Sequence, residues 1–333
     1  MTIELALIII LGIVNVLLFK TFIKIFLKFK IYDIPDFSRK IHTSKIPLVG
    51  GIVFLINILL YLPFIFFSEN LHFFGGVREM IAFFVGAVLV FLIGLYDDRF
   101  ILKANSKLFF ISLIVIITIS ISDTYKINEL SFLFYKKNIL LENFGSIFSI
   151  FCILVFINAF NMMDGINGLS VSYFLICLIY IFLLNLNTSF FLFLIIPALI
   201  FLYFNFRNKS FLGDSGSLLL GFILSCLFIK TYNEKLIYAD QIVLLMIIPG
   251  IDMLRVAFKR VLEKKHPFNP DQSHLHHFLL KKYNFKVSYF SIIIVVSSTA
   301  LLSMIIENEF INLIQIFILI LLYSLFINFS KSK

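Results

Sequence analysis

This chain predicts an all-α polytopic membrane protein, on three observations. Hydrophobic residues make up 61% of it and charged residues 14%, with a mean hydropathy of +1.04, a balance that cannot give a soluble domain its polar surface. The apolar residues fall in runs of about the length that a bilayer-spanning helix needs. Lys and Arg collect in alternate connections between those runs.

Taken in order, the apolar runs place about eleven spans near residues 3–19, 51–68, 81–96, 108–122, 147–163, 168–185, 188–205, 215–231, 241–257, 288–305 and 310–329. The first run, IELALIIILGIVNVLLF, lacks the basic start and small-residue cleavage site of a secretory signal, so it is expected to remain as the first span. Between the fourth and fifth spans, near 123–146, apolar and polar residues alternate as in a short hairpin, expected on the external side. No linker divides the chain, and residues 1–333 read as one integral membrane catalytic domain.

An external amino terminus places the connections near 20–50, 97–107, 206–214 and 255–287, together with the tail, in the cytoplasm. These segments hold 22 of the 28 Lys and Arg residues. The opposite side keeps Arg78, Lys126, Lys136, Lys137, Lys230 and Lys235, so the positive-inside rule supports this orientation in a plasma (inner) membrane. Topology and anionic headgroups account for part of the net charge of +9, and nucleic acid is not an expected partner. Cys152, Cys177 and Cys226 lie inside apolar runs without metal-ligand spacing and read as buried small side chains.

The chemistry is concentrated in four polar strings: LYDDRF at 95–100, NAFNMMDGINGL at 158–169, FLGDSGS at 211–217 and HPFNPDQSHLHHF at 266–278. A carboxylate at the centre of a membrane helix costs about 2.5–3.5 kcal/mol on insertion scales, so acids kept beside apolar spans need a use. Any one of them could be helix punctuation, but punctuation would fall on both membrane faces. Here Asp97, Asp98, Asp164, Asp214 and the histidines all fall on the cytoplasmic side, as expected of one shared site.

Carboxylates beside basic residues suit a divalent cation and phosphate, because Mg²⁺ takes hard oxygen ligands and bridges substrate phosphates. Gly213 and Gly216 allow close backbone approach, and the start of the eighth span offers unpaired N–H groups to an anion. Asn158, Asn161 and Asp164 recur every three residues and share one helix face, although a capped helix end would look alike. His274, His276 and His277 lack Cys partners and HExxH spacing, so phosphate contact or proton transfer suits them better than zinc. Pro267, Pro270 and Asp271 point to a defined turn before them. A secondary transporter or flippase is the competing reading, but it should show paired repeats with polar groups near the midplane, and no repeat is evident.

Together the strings resemble the polyprenyl-phosphate N-acetylhexosamine-1-phosphate transferases of glycosyltransferase family 4, which include the WecA-like and MraY-like membrane enzymes. The likeness begins at YDIPDFSRKIHTSKIPLVGG, residues 32–51, and the other strings follow in family order. PFNPDQSHLHHFLL is similar to the WecA-like branch more than to the peptidoglycan-precursor branch, whose phospho-MurNAc-pentapeptide transfer is the alternative activity. Two departures stand out: Asn167 where many members have a second Asp, and Gln272 where a basic residue is frequent. A catalytically dead scaffold is a third reading, against which the retained acids and histidines argue.

The resemblance implies attack by undecaprenyl phosphate on the β-phosphorus of a UDP-N-acetylhexosamine, with GlcNAc the first choice of sugar. UMP is released in what would be the first membrane step of a cell-envelope polysaccharide such as O antigen. The expected cofactor is Mg²⁺, with Mn²⁺ as a substitute, and the expected partners are the two substrates and membrane lipid, with a homodimer left open. Asp214, Asp164 and Asp98 are the expected metal ligands; Asp97, Asp98, Asp214, His274, His276 and His277 are the expected catalytic groups. Lys40, His42, Asn158, Asn161, Asp164, Arg255 and Arg260 are expected to bind substrate.

Overall fold

The computed structural model describes residues 2–35, 44–67, 73–185, 188–265, 273–305 and 310–331. Among the described residues the chain forms twelve α-helices: α1 Thr2–Lys28, α2 Gly50–Phe67, α3 Val77–Phe100, α4 Ala104–Ile121, α5 Gly145–Met163, α6 Leu169–Asn185, α7 Thr188–Asn205, α8 Gly213–Asn233, α9 Ala239–Leu262, α10 Leu275–Lys282, α11 Phe285–Ile305 and α12 Ile311–Lys331. Each apolar run of the sequence lies in one of them, and α10 is a short addition within the connection expected at 255–287. By length and composition α1, α3, α4, α5, α8, α9 and α11 suffice to cross a membrane, whereas α2, α6, α7 and α12 are apolar but shorter over their described residues.

Several helices overrun the expected spans. α3 continues to Phe100, so Asp97 and Asp98 sit in its last turn, and α9 continues to Leu262. The basic residues Lys28, Arg99, Lys259 and Arg260 lie in last turns, where positive charge complements the helix dipole and favours continuation into the polar phase.

The centre of the bundle is α8, on which every residue from Ser215 to Tyr232 is buried. α2, α3, α5 and α6 pack around it, α7 lies against α1 and α2, and α9 joins α5 to α11 and α12. Small residues bring α3 and α8 together: a Cβ at Gly94 would lie 2.4 Å from the Cα of Ser215, so nothing larger than glycine fits at that crossing. The contact is tightest where α3 carries its acids and α8 begins.

With hydrocarbon around it, the bundle pairs several of its internal polar groups across helices. Asn15 of α1 and Asn57 of α2 exchange amide hydrogen bonds of 2.8 and 2.7 Å with both residues fully buried. At the other end of the α3–α8 pair the buried Lys230 ammonium donates to Glu79 at 2.8 Å and lies 3.0 Å from Glu234.

The hairpin expected near 123–146 is present as β3 Glu129–Phe132 and β4 Tyr135–Leu140, antiparallel with Glu129 opposite Leu140. The Ser131 N–H donates to the Tyr232 hydroxyl at 2.7 Å and the Leu133 N–H to Asp240 at 2.8 Å, which fasten it to the end of α8 and the start of α9. A shorter pairing joins β1 Tyr32–Asp33 to β2 Ile46–Pro47; Lys40 and His42, with Gln272, lie outside the described residues.

Candidate active site

The start of α8 is the point on which the site is built. Gly213 has a φ of +75°, a conformation that favours glycine, and it turns the chain from the FLGDSGS loop into the helix. The Asp98 carboxylate from α3 receives the Asp214 N–H at 2.7 Å and the Ser215 N–H at 3.1 Å, one on each oxygen. Asp98 therefore caps α8 from a neighbouring helix, and a Cβ at position 213 would stand 2.7 Å from its Oδ2.

Around Asp214 the polar groups converge from three helices. Asn161 of α5 donates through Nδ2 to Asp214 Oδ1 at 2.5 Å and to the Ser217 hydroxyl at 2.7 Å. Lys107 of α4 places Nζ 2.5 Å from Asp97 Oδ2 and 3.4 Å from Asp214 Oδ1, so one ammonium bridges two carboxylates. Asp97 also accepts the Leu102 N–H at 2.5 Å and is buried, whereas Asp214 keeps 36% of its side chain exposed. Lys107 was not among the residues singled out from sequence; only its place one turn into α4, nine residues beyond the DD pair, hints at it.

Asp164 terminates α5 and accepts a hydrogen bond from Ser170 at the start of α6. Burial pushes its carboxyl up to about 7; the Ser170 hydroxyl opposes the rise and the charge of nearby Asp214 adds to it. Asn158, expected on the same face, donates back to the Leu154 carbonyl of its own helix at 2.7 Å. Asn167 donates to the Asn205 carbonyl at 3.2 Å and to Asn208 Oδ1 at 2.7 Å, tying its turn to the loop after α7. Asn167 thus fastens two loops here.

The histidines form a second group against α9. His274 precedes α10 and sets Nδ1 2.8 Å from Asp252 Oδ2, while its Nε2 lies 3.5 Å from Arg260 Nη2. Arg255 is engaged by Asp252 at 2.8 Å, by the Tyr323 hydroxyl at 2.6 Å and by the Ser273 carbonyl. The rings of His274 and His276 stack at 5.8 Å, and that of His277 lies 4.3 Å from His276. His276 is 3% exposed, its Nε2 has no hydrogen-bond partner, and a Cβ at Gly165 would lie 1.9 Å from that atom. Through this contact the histidine group abuts the turn that follows Asp164. Asp252 and Tyr323 are further polar members of the group that the motifs did not mark.

The donor set can be tested against a divalent cation. Among the described residues no group of three or more His, Cys, Asp or Glu side chains is arranged to hold a metal. Mg²⁺ needs fewer, since it commonly takes one or two carboxylates and completes its shell with water and substrate phosphate. The open carboxylate of Asp214 and the neighbouring Asp164 fit that requirement. Asp98 fits less well, because both of its oxygens already accept backbone N–H groups.

Fold and site define a helical, multi-pass membrane protein with a carboxylate, lysine and amide cluster where α3, α4, α5 and α8 meet. Its similarities agree. Residues 80–232 match the glycosyl transferase family 4 model, a segment that contains LYDDRF, NAFNMMDGINGL and FLGDSGS. The chain is 30% identical over 271 residues to the undecaprenyl-phosphate alpha-N-acetylglucosaminyl 1-phosphate transferase of Escherichia coli (strain K12), covering 78% of this chain and 71% of the relative. The enzymes of the same name from Salmonella typhimurium and Yersinia pestis are 29% and 28% identical over the same length. The chain belongs to glycosyl transferase family 4.

Proposed function

We propose that this protein transfers N-acetylglucosamine 1-phosphate from UDP-N-acetylglucosamine to undecaprenyl phosphate at the cytoplasmic face of the plasma membrane. UMP leaves, and the product is the first lipid-linked sugar of a cell-envelope polysaccharide such as O antigen. The observation that carries the reading is the convergence of Asp97, Lys107, Asn161 and Asp214 at the capped start of α8, in a chain whose relatives bear that activity in their names. Eleven spans and an external amino terminus complete the reading and put both the lipid phosphate and the nucleotide within reach.

Phosphoryl transfer depends on positioning and on neutralising charge over the phosphate oxygens. Mg²⁺, or Mn²⁺ in its place, held by Asp214 and Asp164, supplies Lewis-acid neutralisation of the diphosphate when bound. Asp98 fixes the Gly213–Ser215 backbone, and Asn161 orients Asp214. Lys107 keeps Asp97 and Asp214 in place and brings positive charge to the oxygens of an arriving phosphate. Arg260 with His274 suits the sugar-phosphate end, and Lys40 and His42 suit phosphate neighbours. A phosphate monoester has a second pKa near 6, so the acceptor lipid is mostly a dianion at neutral pH and needs orientation more than deprotonation.

The test is incubation of the purified chain with undecaprenyl phosphate, Mg²⁺ and a panel of UDP-N-acetylhexosamines. UMP release with UDP-N-acetylglucosamine, lost in Asp214→Ala while that variant still elutes as a folded protein, is the expected result. UMP release by Asp214→Ala at the wild-type rate would remove the assignment. Release only from a UDP-MurNAc-pentapeptide donor would move the chain to the peptidoglycan branch.

A further inference from the structure

We propose that Asp252 is a positioning residue: it fixes His274 with Nδ1–H donated to its carboxylate and Nε2 turned toward Arg260, so that His274 and Arg260 together receive an anionic group of the donor. The inference rests on the transferase reading for the identity of the donor, and on the geometry of α9 for everything else.

A carboxylate as buried as Asp252, 8% exposed, persists only when its oxygens are satisfied. Its Oδ2 meets His274 Nδ1 at 2.8 Å, while Oδ1 accepts the Leu275 N–H at 3.0 Å, the Tyr323 hydroxyl at 2.6 Å and Arg255 Nη2 at 2.8 Å. These come from α9 itself, the chain entering α10, and α12, so the carboxylate ties three segments. An ionised carboxylate only accepts hydrogen bonds, which makes His274 Nδ1 the donor. The tautomer is then set, and Nε2 is the atom left at 3.5 Å from the Arg260 guanidinium.

That arrangement is poised for an anion. A guanidinium cannot accept a hydrogen bond, so with neutral His274 the Nε2 lone pair faces it. A phosphate oxygen entering between them can accept from Arg260 and, once Nε2 carries a proton, from His274 as well, with Asp252 balancing that charge across the ring. Among the described residues, the charged and titratable groups around His274 include Asp252, Arg255 and Arg260 from α9, His276 stacked on it from α10, Tyr323 from α12, and Lys259, which reaches Ser273 at 3.3 Å. Asp252 is the negative charge that meets the His274 ring directly. Nothing in the four motifs points to it, since it lies within the apolar run of α9.

The purified full chain labelled with ¹⁵N-histidine gives a test that does not depend on turnover, with the His274 signal identified by its loss in His274→Gln. The expected spectrum has His274 protonated at Nδ1 in the wild type, and a changed tautomer in Asp252→Asn. With UDP-N-acetylglucosamine, Asp252→Asn should raise KM about tenfold to hundredfold and leave kcat within about threefold, the loss of one charge-assisted contact. In a His274→Gln background the same change should add less than about threefold, because Asp252 acts through His274.

A folded Asp252→Asn variant with wild-type KM, or an equal KM rise with and without His274, would overturn the proposal. If Asp252→Asn fails to fold, the wild-type spectrum decides, and an unprotonated Nδ1 is the overturning result. Absence of UMP release from the wild type would sink the transferase reading instead, while the spectrum still judges Asp252.

Discussion

Lys107 and His276 show what individual side chains contribute. Lys107 is the cation nearest two carboxylates of the cluster, and replacing it should leave Asp97 and Asp214 to repel each other and an incoming phosphate. Lys107→Met is expected to lower kcat by about 10²-fold or more, the usual scale for a group that stabilises transition-state charge. UMP release against enzyme concentration measures it, and a variant within a few-fold of wild type would contradict that role. For His276, burial holds the imidazole down to about 3; His277 and His274 add to the lowering and Asp252 opposes it. The folded value lies below the ordinary 6.5, so this residue's contribution to stability is present above pH 6.5 and is lost as the pH falls toward 3. Thermal unfolding followed from pH 7 to 5 should show His276→Gln losing less stability on acidification than the wild type, by up to about 1.4 kcal/mol per pH unit. Parallel slopes would show that His276 is not buried in its neutral form. Residue types and spacing marked the acids, Asn161 and the histidines in advance. They did not mark Lys107, which is one lysine of many in a basic connection, or Asp252, which stands alone in an apolar run.

At the scale of elements, the α3–α8 crossing places the chemistry. Gly94 lets the backbones meet, Asp98 caps the helix it meets, and the cluster forms because those two events coincide. Gly94→Ala should destabilise the protein by about 1–3 kcal/mol through overpacking against backbone and should also cut transfer, since Ser215 and Asp214 must shift. Gly12→Ala in α1 is the matched control, because a Cβ there meets nothing within 4 Å, and it should be neutral or slightly stabilising. Equal melting temperatures for the two variants would contradict the close crossing. The helices themselves were readable from the apolar runs, because a segment that buries its backbone in hydrocarbon has little choice but to be helical. Their ends were less readable, and α3 and α9 extend past the apolar run because charged last turns continue a helix into the polar phase. The short α10 was missed, since eight residues with His and Lys carry too little hydropathy signal to stand out from a loop.

For the molecule as a whole, the distribution of basic residues makes orientation testable. Cysteine placed at Lys136 on the hairpin should be labelled by an impermeant thiol reagent from outside intact cells, whereas one at Lys103, in the connection after LYDDRF, should react only after the membrane is opened. The reverse pattern would invert the topology and place the cluster on the wrong side of the bilayer for a nucleotide donor. By itself the sequence determined that this chain is a helical membrane protein, where its apolar helices run and which family it resembles, because hydropathy and motif order are local or additive properties. Tertiary structure alone decided that Asp98 caps α8 while Asp214 stays open, that Lys107 bridges two acids, that Asn167 fastens loops, and that Asp252 stands behind His274. Those roles depend on which atoms of distant helices come within hydrogen-bonding distance, and no pattern along the chain encodes a distance between helices.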